Sequence, residues 1–144
     1  MTFADDLAVG QEVERKVLKK IQASYPKALV IGGYFKDYDI FVPETKQAIE
    51  VKYDKMASET GNIVIEVSFN GKDSGLMTTK ADWWVFCTAQ NMMWFKPCRI
   101  KDYIVQNNPR LCEFTGRGDD KPKKAYLIKE EYLSKHADFL RQSP

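Results

Sequence analysis

The stretch Tyr38-Asp39-Ile40-Phe41-Val42-Pro43-Glu44-Thr45-Lys46-Gln47-Ala48-Ile49-Glu50-Val51-Lys52-Tyr53 decides how this chain folds. Two apolar runs, Tyr38–Val42 and Gln47–Tyr53, flank Pro43-Glu44-Thr45-Lys46. Proline presets a turn and cannot donate to a sheet ladder, so the runs read as consecutive strands joined by a turn. Side chains of a strand alternate between faces, which puts Glu50 and Lys52 on one side and Ile49, Val51 and Tyr53 on the other. Adjacent strands lie about 4.8 Å apart. Asp39 and Glu50 are therefore placed to share one hard cation. Mg²⁺ needs only one or two carboxylates when water and phosphate oxygens complete its shell.

Asp/Glu-x-Lys alone is a weak pattern. It occurs at Glu14–Lys16, Glu44–Lys46, Glu50–Lys52 and Asp119–Lys121. The first lies in a helical pattern, where i and i+2 do not face each other. The second is in the proline turn and the fourth in a loop. Only Glu50–Lys52 sits in an apolar strand with an acid on the strand before it. The competing reading is an ordinary salt-bridging strand face.

Towards the N-terminus, Val13, Val17, Leu18 and Ile21 recur at amphipathic spacing and predict a helix over Gln11–Ser24. Tyr25-Pro26 ends it. At about 100° per residue, Glu14 falls inside the apolar stripe, whereas Glu12 lies on the solvent side with Lys16 and Lys19. A core-facing glutamate is costly unless paired or metal-bound. Glu14 is thus a candidate to face Asp39 and Glu50, with a glutamate at the stripe's edge as the alternative. Ala28–Ile31 and Tyr34–Phe35 flank Gly32-Gly33 and predict short extended segments.

Towards the C-terminus, Ile63, Ile65, Val67 and Phe69 alternate with Asn62, Val64, Glu66 and Ser68, a strand with one mostly polar face. Gly75–Asp82 reads as a short helix. Trp83–Thr88 and Met92–Phe95 are further strands, Ile100–Asn107 a helix and Thr115–Lys124 a loop. Ala125–Ile128 is a strand and Glu130–Leu140 a final helix. The expected fold class is α/β, one domain over 1–144, with a core at about 10–100 and a helical C-terminal extension at about 100–144. Trp83, Trp84 and Trp94 lie in strand patterns and read as core rather than as base-stacking platforms.

Composition limits the chemistry. The chain has 144 residues, 44% of them hydrophobic, enough for one compact core. A net charge of +2 excludes a polycation and an acidic tail. No apolar run approaches the roughly 18 residues that span a bilayer. The start Met1-Thr2-Phe3-Ala4-Asp5-Asp6 lacks an apolar leader. No membrane role and a cytoplasmic location are expected. Cys87, Cys98 and Cys112 show no Cys-x-x-Cys spacing and His136 is the sole histidine. This fits a reduced, intracellular protein and leaves carboxylates and lysines as the natural chemical groups. Residues 1–66 hold 9 basic and 11 acidic groups, whereas 67–144 hold 13 and 9. An acidic metal site is thus expected in the first part and a phosphate-gripping surface in the second.

The helix carrying Glu14, then Asp39, then Glu50-Val51-Lys52 on consecutive strands, resembles the PD-(D/E)XK nuclease superfamily. The start Gly10-x-x-x-Glu14-x-x-Val17 is similar to its Holliday-junction-resolvase-like and phage-type small members. Thr60–Glu66, Ser74-Gly75-Leu76 and Thr78-Thr79-Lys80-Ala81-Asp82-Trp83-Trp84 look like small phage or bacterial members. The resemblance covers roughly residues 10–100, and Tyr38 stands where the motif has its proline. It implies a restriction-endonuclease-like core in α-β-β-β-α-β order, a central mixed sheet flanked by helices. It also implies hydrolysis of DNA phosphodiesters with Mg²⁺ or Mn²⁺ and no organic cofactor. Asp39 and Glu50 are the expected metal ligands, with the Val51 carbonyl and Glu14 as further ones. Lys52 is expected to orient water or steady the charge of the transition state. Glu66 and Lys80 are secondary candidates for supporting the site. Lys55, Lys72, Lys80, Arg117, Lys121, Lys123 and Lys124 are the expected DNA contacts, and Ser74-Gly75 offers backbone N–H groups near phosphate. The expected function is a metal-dependent DNA endonuclease, possible as a homodimer because paired cuts need two sites, acting on branched or repair intermediates. The alternatives are a non-catalytic nucleic-acid-binding or structural protein on the same fold, an exonuclease or an RNA nuclease.

Overall fold

The computed structural model describes residues 3–33, 37–54, 57–115 and 120–142. The segment Tyr34–Phe35, Lys55 and Arg117 lie outside them. In chain order the elements are α1 (Phe3–Gln22), β1 (Leu29–Val30), β2 (Ile40–Val42), β3 (Gln47–Tyr53), α2 (Ala57–Thr60), β4 (Asn62–Phe69) and β5 (Lys72–Asp73). There follow β6 (Trp83–Cys87), β7 (Asn91–Phe95), α3 (Pro97–Asn107), β8 (Arg110–Phe114), β9 (Lys123–Lys129), α4 (Glu130–Leu133) and β10 (Phe139–Gln142).

The strands form two sheets. One has six strands in the order β1-β2-β3-β6-β7-β10, and the other four in the order β5-β4-β9-β8. The first is mixed: β3 and β6 run parallel, with Glu50 opposite Trp84 and Lys52 opposite Phe86, while the other pairs are antiparallel. Asp82 sets the parallel register. Its carboxylate accepts from the Ala48 N–H at 2.7 Å and its own N–H donates to the Ala48 carbonyl at 2.8 Å. The chain is therefore an α/β protein with a mixed sheet and helices.

Alternation along β3 and β6 gives the sheet two different faces. Ile49, Val85 and Cys87 join Ile40 and Val42 under Val17 and Ile21 of α1, one apolar cluster. Trp84 and Phe86 point the other way and meet Ile63 and Ile65 of β4, Ile128 of β9, and Ile100 and Tyr103 of α3. The layers are thus α1, the six-stranded sheet, then the four-stranded sheet with α3. β4 and β9 pair along their length, with a bulge between Glu66 and Ser68.

Several expectations about elements are corrected. The helix expected at Gly75–Asp82 is one 3₁₀ turn, Gly75–Met77. The connection from β3 to β6 runs through β4 and β5, so the second sheet covers the face where a flanking helix was expected. The extension at 100–144 is not helical throughout. After α3 it supplies β8 and β9 to one sheet and β10 to the other. Glu130–Leu140 holds one α turn and the 3₁₀ turn Ser134–His136 before Ala137 turns extended. A helix that short gains little on its own. Pairing β10 with β7 satisfies a strand and seats the Phe139 ring 5.7 Å from that of Trp83. Among the described residues, no helix is long and apolar enough to cross a membrane.

Candidate active site

The turn at Pro43–Lys46 brings β2 back along β3 with Ile40 opposite Ile49. The strand expected at Tyr38–Val42 begins only at Ile40, so Asp39 lies one residue before β2, where its N–H donates to the Ile49 carbonyl at 3.0 Å. Glu50 and Lys52, opposite Trp84 and Phe86 in the parallel pair, share the face that carries those rings. Asp39 is buried at 5% exposure. Its Oδ2 accepts from the Val51 N–H at 2.7 Å, which fixes the carboxylate against β3. The Lys52 ammonium lies 3.8 Å from Glu50 Oε1 and 5.0 Å from the centre of the Trp84 ring. The lysine stem is thus guided across an aromatic floor, and its charge sits beside the carboxylate.

The other expected residues fall elsewhere. Glu14 is on α1, which packs on β1 and β3 against the opposite face of the sheet. Among the described residues no three Asp, Glu, His or Cys side chains converge, so Glu14 does not form a three-acid group with Asp39 and Glu50. Glu66 belongs to the second sheet. Ile63 and Ile65 point inward, which turns Glu66 to the outer face, where Ser74 Oγ donates to its Oε2 at 2.8 Å and Lys123 pairs with it at 3.6 Å. Lys80 pairs with Asp37 at 3.7 Å, in the segment that leads to Asp39. Ser74-Gly75 packs against β4: a Cβ on Gly75 would meet the Glu66 carbonyl oxygen at 2.2 Å.

Part of the expected basic set gathers at one end of the second sheet. Phe69 of β4 lies between Lys72 of β5 and Lys123 of β9, and Lys123 in turn lies opposite Phe114 of β8. These four form a row across four strands on the sheet's outer face. Phe69 is 37% exposed and Phe114 36%. Lys121 is exposed just before this row, as is Lys124 within β9. Sequence reading identified the lysines and missed the two phenylalanines. The alternation in β4 was the available signal for Phe69, whereas β8 was not expected as a strand.

Two carboxylates with hard oxygen donors, one pinned by a backbone N–H, suit a small divalent cation that keeps water and phosphate oxygens in its shell. The lysine beside them supplies a positive point charge on the same face. The chain matches no family model, no curated protein and no solved structure.

Proposed function

We propose that the protein is a metal-dependent DNA endonuclease of restriction-endonuclease-like organisation. The observation that carries this reading is the Asp39 carboxylate held by the N–H of Val51, the residue between Glu50 and Lys52, which themselves pair at 3.8 Å. Asp39 and Glu50 would hold the ion, with the Val51 carbonyl as a further donor. A bound Mg²⁺ or Mn²⁺ neutralises charge on the phosphate and promotes ionisation of the attacking water. The bond from the Val51 N–H holds Asp39 in place before any ion arrives, so little reorganisation is needed. Lys52 faces the phosphate and steadies the negative charge that grows on it. The Lys72–Phe69–Lys123–Phe114 row supports a nucleic-acid partner, because basic groups follow a backbone while exposed aromatic rings stack on unpaired bases.

The test is nicking of supercoiled plasmid, with single-stranded, branched and RNA substrates in parallel. Cleavage is expected with Mg²⁺ or Mn²⁺ and lost with EDTA and in Glu50→Ala. Absence of metal-dependent cleavage on every substrate sinks the enzymatic reading. A second reading has its own support: the Asp39 carboxylate already serves the ladder by accepting from Val51. On that reading the protein binds nucleic acid through the basic–aromatic row without cutting it, and gel-shift binding without cleavage is its signature.

A further inference from the structure

The parallel strands β3 and β6 end side by side at Tyr53 and Cys87. Just past these ends lies a cavity of about 500 Å³, lined by the β6–β7 turn, α2 and the start of α4. Its size falls within the roughly 300–1,000 Å³ typical of small-molecule sites. Carboxyl ends of parallel strands are also where α/β sheets commonly receive ligands.

Glu130 lines this cavity and is only 9% exposed. Both hydrogen bonds to its carboxylate go to Oε1, from Thr88 Oγ1 at 2.5 Å and from Asn91 Nδ2 at 3.0 Å. Oε1 has two lone pairs, so it is filled. Oε2 has no described partner. No cation pairs with Glu130 among the described residues: Lys129, its neighbour in the chain, turns its ammonium to the Tyr132 ring at 5.8 Å. A buried carboxylate without a counter-charge costs several kcal/mol. Here the charge is held rigidly by two donors on one oxygen while the other oxygen is left over, beside a roomy polar cavity.

We propose that this cavity is a binding site for a small organic cation, with an ammonium or guanidinium group seated on Glu130 Oε2. A bare divalent ion fits poorly, because the space far exceeds a single ion's and Glu130 is the one buried carboxylate described at the cavity. An organic cation uses that space. Its charged head donates to Oε2, and the remainder lies along Gln90, Asn91 and Ser134, which offer neutral hydrogen-bonding groups. The site stands apart from Asp39, Glu50 and Lys52 and does not depend on the nuclease reading.

Calorimetric titration without DNA or divalent metal tests it, using agmatine and putrescine as probes and 1,4-butanediol as the uncharged control. Saturable binding of at least one cation and none of the diol is expected. Glu130→Gln keeps an oxygen for Thr88 and Asn91 but removes the charge, and binding is expected to weaken by about tenfold or more, the loss of one charge-assisted contact. Ser134→Phe narrows the cavity without touching Glu130 and is expected to weaken the same binding, so the proposal remains testable if Glu130→Gln does not fold. Failure of both cations to bind the wild-type chain at millimolar concentration overturns the proposal. Equal binding of the diol, or affinity unchanged in whichever of the two variants folds, overturns it too.

Discussion

At the residue scale, Asp39 combines a structural bond with a proposed chemical role, and substitutions separate the two. Asparagine at 39 keeps an oxygen for the Val51 N–H and removes the charge, whereas alanine leaves that N–H without its acceptor. Asp39→Asn is expected to unfold within about 0.5 kcal/mol of wild type and Asp39→Ala about 1–3 kcal/mol lower, in urea melts. Both are expected to lose metal-dependent cleavage, because neither retains two carboxylates. A loss of cleavage confined to Asp39→Ala would mean that position 39 only positions β3. Cys87 gives a second residue-scale outcome. Burial in the α1-facing cluster pushes its thiol from 9.0 up to about 12. The folded state therefore holds a proton that the unfolded state releases earlier. The resulting stability is fully present below pH 9.0 and is lost as pH rises towards about 12. Cys87→Ala is expected to flatten the fall in unfolding free energy across that window relative to wild type. Alkylation at pH 8 is expected to modify exposed Cys98 and spare Cys87 until the chain unfolds.

At the scale of elements, the β2–β3 turn and its two strands were legible because local signals agree there. Proline chemistry, apolar runs and alternation all agree on two antiparallel strands, with Ile40 opposite Ile49, although β2 starts two residues later than the apolar run. The 3₁₀ turn at Gly75–Met77 was not legible as such, because its shape is set by close approach to β4 rather than by its own sequence. Gly75 has φ of +54° and no room for a Cβ beside the Glu66 carbonyl. Gly71, in the β4–β5 turn, also has positive φ, at +76°, but open space around it. Alanine at 71 is thus expected to cost about 1 kcal/mol from backbone strain alone, and alanine at 75 about 3 kcal/mol or more from strain plus displacement of β4. Urea midpoints of the two variants check this, and equal losses would mean that the Gly75 approach relaxes freely.

At the scale of the whole molecule, the second sheet is what local sequence could not disclose. β4 and β9 are more than fifty positions apart, and nothing in either strand names its partner. The same separation hid the meeting of Thr88 and Asn91 with Glu130, which no spacing rule links. Physically, the C-terminal third is part of the core rather than an appendage. Ile128 and Leu133 are buried in the cluster that holds Trp84, Phe86 and Phe95, and Ala125 is fully buried. Asp138 ties β10 to α3, pairing with Arg99 at 2.9 Å and accepting from the Lys96 N–H at 2.9 Å. A chain cut after Asn108 keeps Asp39, Glu50 and Lys52 but loses β8, β9 and β10. It strips one face of β4 of its ladder and exposes Ile63 and Ile65. Such a fragment is expected to lack a cooperative thermal transition and a dispersed amide spectrum, and so to lack cleavage despite holding every proposed catalytic residue. If residues 1–108 instead melt cooperatively, the six-stranded sheet and α1 form an independent unit, and the second sheet is an attachment to it.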